Sequence, residues 1–309
     1  MKQTLVYILF VSAFYNALGQ VTSYAIQNTI TDISSDAVCP DDPGFKTVVA
    51  KTKNYILSQL KSYNYTTSVR PGPFNNIVAY SGEITTDMGI LMVHYQPRCT
   101  GTPGYALNPG GIDDNAAGIG AALEIARELA GLPGVFLVFI DDSCGKLLPP
   151  GAAYFVDNFP FLDKITWGIN LDEIANFNDT VGSANIPESF SQLLPAIYEM
   201  IKEDGFRGNF IAGFADLNST SIAKDMEGIM SLYGVKMYPF SLPYPASSIC
   251  TQGPLMGLCL SINGPFWLKN IPILELTDMS PQRNLQIGFM PNTTWAAMIA
   301  NGVVDMFEK

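Results

Sequence analysis

Residues 113–140 read DDNAAGIGAALEIARELAGLPGVFLVFI, and the fold class follows from them. Ala116 to Leu129 is rich in Ala, Leu, Ile and Glu. It is led by Asp113, Asp114 and Asn115 as cap residues and stops before Gly131 and Pro133, so it predicts a helix. Val135 to Ile140 follows as an unbroken apolar run, the pattern of a strand covered on both faces. Ile165 to Leu171 repeats that pattern. Strands that show no polar face, alternating with helices, point to a largely parallel sheet.

Upstream, Ile77 to Tyr80 and Ile90 to Val93 are short β-prone runs joined through Gly82 and Gly89. Phe45 to Tyr63 carries apolar residues at helical spacing after an Asp41-Asp42-Pro43 start signal. Downstream, helices are expected at Phe190 to Lys202, Ser221 to Leu232 and Thr294 to Phe307, with a strand at Ile271 to Leu276. No repeat, charge block or low-complexity linker interrupts the chain. The expected architecture is one α/β domain over residues 20–309, a mostly parallel mixed sheet with helices on both faces.

Composition excludes several function classes. A chain of 309 residues that is 48% apolar and 15% charged is too apolar to be disordered or a coiled coil. A net charge of −11 repels phosphate backbones and anionic lipid, so nucleic acid is not an expected partner. The single histidine, His94, rules out any site that needs two imidazoles.

Residues 1–19 read as a cleaved signal peptide. Lys2 gives a basic start, Leu5 to Phe14 an apolar stretch too short to span a bilayer, and Ala17-Leu18-Gly19 a small-residue cleavage site. The mature chain is expected to be secreted, with no membrane segment. In that compartment the sequons at Asn64, Asn178, Asn218 and Asn292 are glycosylation candidates. Five cysteines cannot all pair within one chain. Cys250 and Cys259, nine apart around Gly253-Pro254 and Gly257, are the expected local disulfide; Cys39 with Cys99 is the second expectation, which leaves Cys144 odd.

Ligands of such sheets gather beyond the carboxyl ends of the strands, and three polar groups stand there: His94, the pair Asp113 and Asp114, and Asp172 with Glu173. One imidazole and two carboxylates are a donor set suited to Zn²⁺. Taken singly, each also has a plain structural reading, as helix cap, strand-end histidine or solvated turn.

The flanking words add a resemblance. Asn75-Asn76-Ile77-Val78-Ala79, Gly89-Ile90-Leu91-Met92-Val93-His94-Tyr95, Gly111-Ile112-Asp113-Asp114-Asn115-Ala116-Ala117-Gly118 and Ile169-Asn170-Leu171-Asp172 resemble the MH-clan zinc aminopeptidases, whose fold glutaminyl cyclases share. Ser261-Ile262-Asn263-Gly264-Pro265-Phe266 is similar to the family's Ser-Asp-His-x-Pro-Phe loop. The resemblance runs from Asn75 to Leu276 and implies a zinc aminopeptidase fold. It implies one metal position held by His94, Asp113 and Asp172. The second position is broken: its histidine stands at Asn263, and the Glu-Glu pair that carries the general base falls on Asp141-Asp142, Asp142-Ser143 or Ser143-Cys144, none of them glutamate. Asp142 is the candidate substitute base, and Cys144, if a free thiol, an additional metal ligand. The orienting aspartate of the family's His-x-Asp is Gln96.

These departures imply zero or one zinc ion in place of two. They describe a catalytically impaired aminopeptidase-like protein that binds a peptide or protein partner in the old cleft. The alternative is an active metal-dependent exopeptidase, cyclase or amide hydrolase with a non-standard base. A module that uses no cleft ligand would dock through apolar surface, for which Phe266-Trp267 and Tyr238 to Tyr244 are candidates.

Overall fold

A computed structural model describes residues 20–35, 39–97, 111–142, 147–251, 254–279, 282–283 and 290–309. In chain order its longer elements are α1 (Ser23–Ile33), α2 (Phe45–Ser62), β1 (Thr66–Val69), β2 (Ile77–Tyr80), β3 (Met88–His94) and α3 (Gly118–Glu128). There follow β4 (Val135–Ile140), α4 (Pro150–Asn158), β5 (Ile165–Leu171), α5 (Pro195–Glu203), β6 (Phe210–Ala215), α6 (Thr220–Leu232), β7 (Lys236–Ser241), β8 (Ile273–Thr277) and α7 (Thr293–Phe307).

The eight strands form one sheet in the order β1-β2-β4-β3-β5-β8-β6-β7. The centre is parallel from β4 through β3 and β5 to β8, and β2 and β6 join it antiparallel. Strand residues divide alternately between two cores. Leu91 and Val93 of β3 pack with Leu137, Phe139, Ile169 and the helices α1, α3 and α7, whereas Ile90 and Met92 pack with Phe136, Val138 and Phe155 of α4. Burial on both faces is why the central strands show no polar alternation. The domain is therefore the expected mostly parallel mixed sheet with helices on both faces.

The helix expected from Phe190 to Lys202 is two, Phe190–Leu193 and Pro195–Glu203, divided where Pro195 cannot donate into the preceding turn. The expected helix from Ala116 begins at Gly118, and Ile112–Ala117 before it is a wider, kinked turn. Asp113, Asp114 and Asn115 are buried there and form no side-chain cap. Phe266 and Trp267 are core residues. Among the described residues, no helix is long and apolar enough to cross a membrane.

Cys250 and Cys259 form the expected disulfide. Cys39 is disulfide-bonded as well. Cys99 and Cys144 lie outside the described residues, as do residues 1–19.

Candidate metal centre

The carboxyl ends of β3 and β5 lie side by side in the parallel sheet and carry His94 and Asp172. The turn Ile112–Ala117 brings a third group to them. Asp114 (φ −114°, ψ 88°) and Asn115 (φ −141°, ψ 38°) depart from helical geometry, so this turn does not present its side chains as a regular helix would. Asn115 fastens the turn to β5 by donating from Nδ2 to the Leu171 carbonyl at 3.1 Å. Two glycines make this geometry accessible. Gly111 has a φ of 65°, in the left-handed region, and a Cβ on Gly118 would stand 2.2 Å from Asn115 Oδ1.

His94 Nε2 is 3.0 Å from Asp114 Oδ1 and 3.1 Å from Asp172 Oδ1. Ligand atoms of His94, Asp114 and Asp172 all lie within 4.8 Å of one another, and all three side chains are buried. His94 Nδ1 lies 3.0 Å from the carbonyl oxygen of Gln96, which only accepts, so Nδ1 carries the hydrogen and Nε2 turns its other valence to the two aspartates. A lone pair facing two carboxylate oxygens requires a positive charge between them, either a proton on Nε2 or a cation. Donors of a tetrahedral zinc ion stand about 3.3–3.6 Å apart, a spacing close to that of His94 Nε2 from each aspartate oxygen. The donor set therefore fits a metal ion.

Asp172 is held on its far side. Its Oδ2 accepts from the Ser261 hydroxyl at 2.9 Å, and Ser261 Oγ in turn accepts from Asn170 Nδ2 at 2.9 Å. A cavity of about 290 Å³ opens beside Asp172 and Ser261. Glu173, Glu275, Phe190, Phe214, Leu258 and Met279 contribute to its wall.

The aspartate that joins His94 and Asp172 is thus Asp114, which corrects the assignment of Asp113. The two residues are adjacent, and the turn sends their side chains to different partners. Asp113 Oδ1 accepts from the Ala175 amide at 3.2 Å, and its carboxyl lies beside that of Asp278. Burial, and secondarily the charge of Asp113, holds the Asp278 carboxyl well above the usual carboxylate range. Arg283 beside them is lowered to about 10 by its own burial, which the two acids oppose.

The other candidates stand apart from this group. Asp142 Oδ2 accepts from the Gly151 amide at 2.6 Å, at the first turn of α4. Asp141 accepts from the Asn75 amide at 2.6 Å, from Asn75 Nδ2 at 3.1 Å and from Gln96 Nε2 at 2.8 Å. The Gln96 side chain is therefore spent on Asp141, and its main-chain carbonyl takes the place at His94 expected of the side chain. Asn263 is fully buried and makes no hydrogen bond to His94, Asp114 or Asp172. Ser143 and Cys144 lie outside the described residues. Ser261 carries no assignment from the sequence; its signal was its place in the Ser-Ile-Asn-Gly-Pro-Phe word.

The fold is similar to that of solved aminopeptidases and glutaminyl cyclases. LapA aminopeptidase of Legionella pneumophila superposes with a TM-score of 0.61 over 93% of this chain and 70% of its own, at 13% identity. Glutaminyl cyclase of Porphyromonas gingivalis does so with 0.53 over 93% and 96%, at 15% identity. The uncharacterized protein YfbL of Escherichia coli K12 is 25% identical over 252 residues, 76% of this chain and 71% of its own. The sequence profile of peptidase family M28 matches residues 75–213 of this chain.

Proposed function

We propose that this is a secreted protein of the M28 fold that holds one zinc ion, works as a catalytically impaired aminopeptidase homologue, and binds the free amino terminus of a peptide or protein. One observation carries the reading: the sole histidine of the chain is already committed to the group it forms with Asp114 and Asp172, and a two-metal site of the family's kind needs a second. Zinc held by these residues would supply Lewis acidity toward a carbonyl or amine. His94, Asp114 and Asp172 provide the donors, Ser261 orients Asp172, and the adjoining cavity is sized for one side chain.

The strand end after β4 supports impairment. The described acids nearest the family's base position, Asp141 and Asp142, accept hydrogen bonds from Asn75, Gln96 and Gly151 and lie outside the metal-binding group. A general base must reach the reacting water, and its loss commonly costs about 10²–10⁴ in rate. Secretion is supported by the Cys250–Cys259 disulfide and by exposed sequons at Asn64 and Asn218. Asn178 and Asn292 are half-buried sequons and the weaker glycan sites.

The test pairs binding with turnover. Zinc-loaded protein is titrated with peptides bearing a free or an acetylated amino terminus, and incubated with aminoacyl anilides and a glutaminyl peptide. Binding of the free form without turnover is expected. Turnover that disappears in Asp114→Ala would overturn the impaired reading in favour of an active exopeptidase or cyclase.

A further inference from the structure

Asp113 is buried, is not among the three clustered ligands, and sits one residue before Asp114. Its hydrogen bonds reach toward the segment that follows Asp172. Asp113 Oδ1 accepts from the Ala175 amide at 3.2 Å, three residues beyond Asp172. Asp278, whose carboxyl lies beside that of Asp113, accepts on Oδ2 from the Asn176 amide at 2.8 Å, and its own amide donates to the Glu173 carbonyl at 2.6 Å. Two carboxyl groups, from the Asp114 turn and from the end of β8, thus hold the Ala175 and Asn176 amides, and the Asp278 amide holds the Glu173 carbonyl.

The base of this grip is a buried cation. Arg283 donates from Nε to the Asp278 carbonyl and from Nη2 to the Phe210 carbonyl at 2.6 Å, and its guanidinium lies 4.5 Å from the centre of the Phe210 ring. A Cβ at position 208 would come within 2.5 Å of Arg283 Nη1, so glycine there leaves the guanidinium its room. A buried acid pair is costly without such a partner, and with it the assembly is fixed in one geometry.

We infer that Asp113 is a positioning residue for the metal centre, which with Asp278 and Arg283 fixes the separation between the ligands Asp114 and Asp172. The inference rests on the metal-site reading above. Asp113 acts through the backbone: it locks together two segments from which ligand side chains project, as the outer groups of metal sites do. Amide replacement preserves the grip, because the side chain introduced by Asp113→Asn would still accept from Ala175 and would donate to Asp278. Removal of the side chain opens it.

The experiment uses the full mature protein, titrated with Zn²⁺ against a chromophoric chelator and with Co²⁺ by visible absorption. Asp113→Ala is expected to weaken zinc about 10–100-fold and to change the Co²⁺ spectrum, while Asp113→Asn stays within about threefold and keeps the parental spectrum. If Asp113→Ala does not fold, Asp113→Ser carries the same expectation, since its side chain is too short to span the gap. Parental affinity and spectrum in Asp113→Ala or Asp113→Ser would overturn the inference. So would loss of metal in Asp113→Asn equal to that in Asp114→Asn, which would make Asp113 a ligand. A parent protein that binds neither ion overturns the site reading and this inference together.

Discussion

At the ends of β3 and β5 two aspartates face an imidazole; one strand away, at the end of β4, two more aspartates face amides. Asp114 and Asp172 converge on His94 Nε2, whereas Asp141 accepts from Asn75 and Gln96 and Asp142 from Gly151. All four are buried acids beyond the carboxyl ends of neighbouring parallel strands. The difference lies in their partners. N–H donors satisfy a carboxylate and leave it a structural element, while a lone-pair nitrogen asks for a cation and makes a site.

The contrast is most sensitive at His94. His94→Ala and Asp114→Ala should each reduce zinc affinity more than about 100-fold with the circular dichroism unchanged, whereas Asp142→Ala should leave affinity within about twofold. Equal losses in all three would erase the distinction between the two strand ends.

On the structural side, Asp141→Ala strips the acceptor from three donors and should destabilise by about 3 kcal/mol in denaturant unfolding, with zinc affinity unchanged. Loss of metal in that variant would join the two regions into one site. Replacing Cys250 and Cys259 by serine removes a cross-link between residues nine apart and should cost about 2–3 kcal/mol, measured in the same way. An unchanged midpoint would show that the loop is held by other contacts.

The smallest change concerns pH. The Tyr65 hydroxyl donates to the Ala126 carbonyl at 2.8 Å, and burial raises it well above the ordinary tyrosine value. The unfolded chain releases this proton near pH ~10 and the folded chain does not, so its contribution is complete below about pH 10 and declines as pH rises beyond. Tyr65→Phe should lower stability by about 1 kcal/mol at neutral pH and flatten the fall above about pH 10. An alkaline slope identical to the parent's would mean that Tyr65 does ionise in the fold.

Much of this was legible in the chain. Val135 to Ile140, Ile165 to Leu171 and Ile77 to Tyr80 emerge with the bounds their apolar runs suggest, because full burial writes itself as continuous hydrophobicity. Phe210–Ala215 was hidden by Gly213 and the small alanines around it. Lys236–Ser241 was hidden by Pro239, which its place at the sheet edge tolerates. At the site, His94 and Asp172 could be read from their strand ends. The choice between Asp113 and Asp114 could not, because it depends on φ and ψ in a kinked turn that no periodicity encodes.

Everything proposed for this protein turns on one metal ion held by the only imidazole in the chain. Native mass spectrometry with elemental analysis, on protein purified without chelators, measures it directly. One zinc per chain, absent from His94→Ala, is the expected result. Two zinc ions per chain, or none after zinc is supplied, would contradict it.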